Sequence, residues 1–355
     1  MKKNVIDLFC GAGGFSYGFE NAGYNIKMAL DNWKDAIETF NQNHTNKVGI
    51  CKNIYDFTNE EIKQFGIKNS IKGIIGGPPC QGFSMVGLRD EKDDRNTLYL
   101  QYVRFVENIM PEFFILENVK GLLTLKKGHF KEDILKRFNE LGYNVNYKVL
   151  RASEYRVPQN RERVFFVGLR RDIFKNKEFV FPEKSNITIT TKDAISDLPS
   201  LDKNEEHYLY KSEPCNRYQE LMRKNSLSVL NNEVTNHTEQ TKKIVSLIPD
   251  GGNIKFLPKE YYKIRNYNTA FKRMDSSQPS NTIDCGHRNY FHYKENRIPT
   301  VRESARIQSF PDNFKFLGSK TSQYTQVGNA VPPLLSQAMA EAVNKMYAQI
   351  NGEKE

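Results

Sequence analysis

Cysteine is scarce in this chain and scattered where it occurs. The five thiols, Cys10, Cys51, Cys80, Cys215 and Cys285, are odd in number and far apart among 355 residues, so no disulfide framework is indicated. No Cys/His cluster has zinc-finger spacing, and no metal is expected. Long apolar runs are missing too: nothing approaches the roughly 18 consecutive apolar residues of a membrane span. The opening MKKNVIDLF carries lysines with no apolar stretch behind them, which is not the pattern of a secretory signal. A reducing cytoplasm and no membrane partner are therefore expected. The length suits one large α/β domain, or a large domain with a smaller one.

The formal net charge of +10 is unevenly placed. Residues 252–297 hold nine Lys and Arg against four Asp and Glu, half of the whole excess. Tyr261, Tyr262, Tyr267, Phe271, Tyr290, Phe291 and Tyr293 are interleaved there. Such a surface contacts phosphates and packs on sugars or bases, although a merely solvated basic face has the same composition.

Cys80 stands apart from the other thiols. It sits in GGPPCQGFS, residues 76–84, directly after the strand-like run 73–75. The two prolines fix the backbone entering it, and the glycines allow a sharp turn and close approach to a ligand. A cysteine that only fills a core belongs among apolar neighbours in a periodic element, so a catalytic thiol is the expectation.

The N-terminal half alternates strand and helix. Strands are expected at 5–9, 26–30, 71–75 and 113–116, and helices after the turn at 11–14, then at 33–43, 97–109 and 130–141. This rhythm predicts a doubly wound, mostly parallel sheet, with strands 145–150 and 164–169 closing it, both free to lie antiparallel at one edge. A last helix is expected over 332–347. Asp31 lies 20 residues after Gly11, the spacing of an acidic residue that grips ribose hydroxyls, yet Ser16 occupies the third-glycine position of the dinucleotide fingerprint. That turn alone leaves NAD, S-adenosylmethionine and plain tight packing open. Asp31, Cys80 and Glu117 follow different strands of one sheet and so should gather at its carboxyl edge.

Six segments in order, DLFCGAGGFS (7–16), GGPPCQGFS (76–84), ENV (117–119), QNRERVFFVG (159–168), RESARIQSFPDNF (302–314) and QVGNAVPP (326–333), resemble the C5-cytosine DNA methyltransferases of bacterial restriction-modification type. The resemblance implies a Rossmann-like S-adenosylmethionine-dependent methyltransferase domain at 1–181, a smaller loop-rich target-recognition domain at 182–302, and a segment at 303–355 returning to the first domain. By resemblance, Cys80 adds to C6 of cytosine so that C5 can attack the methyl group. Glu117 serves N3, its apolar surroundings raising its pKa, Arg163 contacts O2 and Arg161 supports the site. Phe9, Gly11, Ala12, Gly13, Asp31, Asn32, Asn53, Ile54, Pro79, Leu98, Asn329 and Val331 match positions around S-adenosylmethionine, which leaves as S-adenosylhomocysteine. Two of them depart from the family pattern: Asp31 stands where Glu is usual, and Asn53 where Asp is usual.

Attack on both sides of a stacked base is impossible, so the cytosine must flip out of double-stranded DNA. Residues 81–95 resemble the family's closing loop, and Gln81, Ser84, Arg89, Arg273 and Thr282 are the DNA-contact candidates. A monomer is expected, with a cognate restriction endonuclease acting on the same site outside any obligatory complex. Three rival readings stay in view. An RNA methyltransferase on this scaffold would carry a Cys-Phe-Thr signature in the variable region, which is absent; a dead regulatory subunit would have lost Cys80, Glu117 or the glycine turn; and a nicotinamide-dependent thiol enzyme would not need the basic aromatic segment.

Overall fold

A computed structural model describes residues 3–79, 96–199, 209–210, 212–263, 272–285 and 290–352. The chain divides into two compact units: Met1–Arg151, Glu162–Lys184 and Leu335–Glu355 form the first, and Ala152–Arg161 with Ser185–Leu334 the second.

The first unit is built on seven strands, β1 (Asn4–Leu8), β2 (Asn25–Asp31), β3 (Gly49–Cys51), β4 (Ile71–Gly76), β5 (Phe113–Val119), β6 (Tyr143–Arg151) and β7 (Glu162–Arg170), in the order β3-β2-β1-β4-β5-β7-β6. The central strands are apolar along their length because helices cover both faces; Val5, Ile6, Ile74, Ile75 and Phe113 to Leu116 are fully buried. Among the helices that connect or flank them are α1 (Gly14–Asn21), α2 (Lys34–Asn43), α3 (Asn59–Asn69), α4 (Asn96–Ile109) and α5 (His129–Glu140). The sequence patterns missed β3 and α3; β3 is only three residues long and largely exposed, so it shows no apolar run.

The two last strands differ from one of the arrangements the sequence left open. Only β7 is reversed: it pairs antiparallel with β5 on one side and with β6 on the other. Two reversals in succession make β6 run with the parallel strands, so the edge strand is not the antiparallel one.

Register aligns the carboxyl ends. Leu8 lies opposite Leu30 and Gly76, and Gly76 opposite Leu116. The residues that come next, Phe9, Asp31, Gly77 and Glu117, therefore share one edge. The closing helix, Pro333–Gly352, lies on this unit from Leu335 onward, where Ser336 Oγ donates to the Phe15 carbonyl at 2.5 Å and Asn344 Nδ2 to the Ala22 carbonyl at 3.0 Å.

The second unit has short helices, among them Arg217–Arg223, Glu239–Ser246, Val301–Ile307 and Lys320–Asn329, and a two-stranded pair, Lys272–Arg273 with Tyr290–Phe291. Buried arginines organise it. Arg306 lies between Asp197 at 2.9 Å and Asp312 at 2.6 Å. Arg302 donates to the carbonyls of Leu230, Pro311 and Phe314. Burial pushes the Glu303 carboxyl up, but Arg297 at 2.7 Å outweighs it and holds that group at about 2. The charged residues of the 302–314 segment are thus architectural, since each buried charge there is paired or hydrogen bonded.

Candidate active site

The turn after β1 is forced by sterics. Phe9, Gly11 and Gly13 all have positive φ, at 60°, 52° and 93°. A Cβ on Gly13 would lie 2.3 Å from His44 Nε2 and 2.6 Å from the Phe40 ring, so only glycine fits. His44 stacks on Phe40 with centroids 3.8 Å apart, and its Nδ1 lies 2.7 Å from Glu20. Nothing in the local pattern marks the His44–Glu20 pair, because its members are 24 positions apart and meet only in the folded chain.

Asp31 fastens the same turn: its two oxygens accept the Gly11 N–H at 2.9 Å and the Trp33 N–H at 3.0 Å. Burial pushes its carboxyl up and the backbone N–H bonds oppose that shift. The Asn32 N–H adds a third such bond, and a carboxylate has about four acceptor sites, so a ribose hydroxyl can still be accommodated. Ser16, which spoiled the dinucleotide fingerprint, is a lock: its hydroxyl donates to Asp7 Oδ2 at 2.6 Å inside the core.

Burial raises the Asp7 carboxyl to about 7, and Asp7 Oδ1 has no hydrogen-bond partner. The folded state therefore prefers the protonated form. Relative to an unfolded chain ionising near 3.8, this group's contribution to stability is complete below about pH 4, declines as pH rises, and is lost once pH passes about 7. Replacing Asp7 with Asn should flatten the fall in melting temperature between pH 4 and pH 7; curves for the two proteins that run parallel would refute it.

Glu117 lies inside β5 rather than after it, because pairing with β7 continues through Val119 opposite Arg163. Arg163 Nε is 3.0 Å from Glu117 Oε1, with both side chains mostly buried. This ion pair stabilises the ionised carboxylate, whereas the apolar strand alone works against it. Gly77 makes room for the carboxylate, since a Cβ there would come within 2.9 Å of Glu117 Oε2. Asn118 was missed by the sequence reading although ENV contains it: its buried Nδ2 donates to the Pro78 carbonyl at 2.9 Å, tying β5 to the segment two residues before Cys80. Cys80, Gln81, Ser84 and Arg89 lie outside the described residues.

The remaining expected residues fall in several places. In the first unit, Ala12 and Ile54 are buried, Leu98 is half-buried, and Asn32, Asn53 and Pro79 are exposed. Asn53 Oδ1 accepts the Tyr55 N–H at 3.2 Å and so caps a short helical turn, Ile54–Asp56. In the second unit, Val331 is buried, Asn329 is exposed, and Asn329 Oδ1 accepts from Cys285 Sγ at 2.7 Å. Arg161 is buried and donates to the Ile283 carbonyl at 3.3 Å. Its neighbour Thr282 donates to the Asn160 carbonyl at 3.3 Å.

Arg273 requires a correction. Its guanidinium points inward, donating to the carbonyls of Ile248, Val245, His292 and Glu295 and to Asn296 Oδ1. Five N–H groups meet five acceptors, so none is left for phosphate. The basic composition of the segment hid this, because an inward and an outward arginine read alike in sequence. Arg273→Ala should lower the melting temperature, as it strands buried carbonyls at about 1 to 3 kcal/mol each, without changing how DNA binding depends on salt. A shallower salt dependence with an unchanged melting temperature would reverse the correction.

Among the described residues no group of three or more His, Cys, Asp or Glu could hold a metal, and no helix is long and apolar enough to cross a membrane. Comparison with known proteins matches residues 3–345 to the family described as C-5 cytosine-specific DNA methylase. The chain is 39% identical to the Type II methyltransferase M.DdeI of Desulfomicrobium norvegicum, covering 98% of this chain and 90% of that protein. It is 38% identical to the Type II methyltransferase M1.HphI of Haemophilus parahaemolyticus, covering 98% and 88%. Among solved structures, a prophage-encoded E. coli protein described as a DNA modification methyltransferase superposes with a TM-score of 0.81 at 27% identity, over 98% of this chain and all of that one.

Proposed function

The chain belongs to the C-5 cytosine-specific DNA methylases and is a DNA cytosine methyltransferase of Type II restriction-modification kind; from that premise we propose that it methylates C5 of a flipped cytosine within one short duplex sequence, through a covalent bond between Cys80 and C6. The observation that carries this reading is the Glu117–Arg163 pair, 3.0 Å apart, at the sheet edge that also holds the glycine turn and Asp31. S-adenosylmethionine, the donor the family uses, supplies an electrophilic methyl group when bound. In the first unit Phe9, Gly11, Ala12, Gly13, Asp31, Asn32, Asn53, Ile54, Pro79 and Leu98 would hold it, with Asp31 on the ribose. The donor set suits it: Asp31 retains acceptor capacity, and Gly11 has open space where a Cβ would be.

In this reading the Cys80 thiolate forms a bond to C6, and the ring electrons displaced by that bond reach C5, which takes up the methyl group. Arg163 then shares its charge between Glu117 and the cytosine O2. As the base draws the guanidinium, Glu117 takes up a proton from water and shares it with N3, which relieves charge on the ring while Cys80 adds; that proton returns to water when the thiolate leaves. Loss of the C5 proton to a base and of the thiolate from C6 restores the aromatic pyrimidine and the enzyme. Residues 182–302 supply target recognition; the chain acts as a monomer in the cytoplasm, with a cognate endonuclease for the same site but no lasting complex.

The test is transfer of labelled methyl groups from S-adenosylmethionine to unmethylated plasmid DNA, followed by bisulfite sequencing. Label recovered as 5-methylcytosine at one recurring sequence is the expected result. DNA that stays unlabelled while transfer RNA is methylated would overturn the DNA assignment.

A further inference from the structure

Phe256 is 62% exposed, although the residues on either side of its turn are firmly set. Ile254 and Leu257 are buried in a cluster with Ile244, Val245, Ile248, Phe291 and Ile298. Asn253 Oδ1 accepts the Lys255 N–H at 2.9 Å and caps the short helix Ile254–Phe256.

The mount beneath is rigid. The Gly251 N–H donates to the Met274 carbonyl at 3.1 Å, and the Arg273 N–H to the Gly252 carbonyl at 2.8 Å. The Arg273 guanidinium binds the carbonyls of Val245 and Ile248, which belong to the segment carrying the cluster. Arg273 thus braces the turn that presents Phe256. Lys255 and Lys259 stand on either side of Phe256 along the chain and are exposed, and the turn lies in the segment that holds half of the chain's positive excess.

A large apolar ring held outward on a fixed turn between two lysines suits a ligand with an apolar face between anionic groups. DNA offers that pattern, with bases and deoxyribose between phosphates. We propose that Phe256 is a DNA contact, its ring packing on a base or deoxyribose while Lys255 and Lys259 meet the flanking phosphates. The inference deepens, and rests on, the reading of residues 182–302 as the target-recognition part.

The full chain, with Phe256→Ala, Phe256→Trp and the double variant Lys255→Ala/Lys259→Ala, is assayed on an unmethylated duplex for kcat, KM for DNA, salt dependence, S-adenosylhomocysteine affinity and melting temperature. Phe256→Ala should raise KM for DNA about 5-fold to 150-fold, the range of one lost aromatic stacking contact, with melting temperature and S-adenosylhomocysteine affinity unchanged. Phe256→Trp should restore KM. The lysine pair should lower the slope of log affinity against log salt by about 1.8, whereas Phe256→Ala leaves the slope alone. An active wild type with an unaltered KM in Phe256→Ala would overturn the proposal, as would a KM effect accompanied by a fall in melting temperature, which would make the ring a packing element. A wild type that neither binds nor methylates DNA would instead sink the underlying reading.

Discussion

Cys80→Ala is expected to lower methyl transfer by about 10,000-fold or more, because a nucleophile that forms the covalent bond has no substitute in the site. Affinity for S-adenosylhomocysteine and for DNA should stay within a few-fold, since alanine removes one sulfur atom and none of the groups proposed to hold the cofactor or the phosphates. A duplex with 5-fluorocytosine at the target gives a second readout. Turnover must expel a proton from C5, and fluorine cannot leave as a cation, so the Cys80–C6 bond should persist in the wild type and survive denaturation. Cys80→Ala should form no such complex. Transfer that continues in this variant would remove Cys80 from its role without touching the family assignment.

Glu117→Gln should reduce kcat by about 100-fold to 10,000-fold, the span of a lost general acid, and leave KM for DNA nearly unchanged. The amide has almost the same shape, so it fits the space left by Gly77, where even a Cβ would approach Glu117 Oε2 to 2.9 Å. What changes is charge: Arg163 Nε, now 3.0 Å from a carboxylate, would face a neutral group that cannot give N3 a proton. A guanidinium freed from its partner can bind the cytosine O2 more strongly, so base binding should survive while reaction slows. A variant with unchanged kcat would mean that proton sharing at N3 does not limit the reaction. An equal loss in folding stability would mean that the pair is only structural, and the melting temperature separates these cases.

Much of the catalytic unit is legible in the sequence because its signals are local. Each interior strand is an apolar run, since two covered faces demand it, and α1, α2, α4 and α5 show their own spacing, whereas α3 does not. The turn at 11–14 is legible because positive φ demands glycine. Residues whose role depends on partners elsewhere are not legible: Ser16 departs from the dinucleotide fingerprint in sequence but bonds Asp7 in the core, and Asn118 acts through the distant Pro78 carbonyl.

By itself, then, the sequence determined the alternation of strand and helix, the glycine turn, and the reactive types at strand ends, all of which follow from the conformational preferences of neighbouring residues. Only the tertiary structure decided which way β6 runs, which arginine meets Glu117, and that Arg273 faces inward while Phe256 faces out. Direction, pairing and burial depend on groups brought together from distant parts of the chain, and no local preference encodes them.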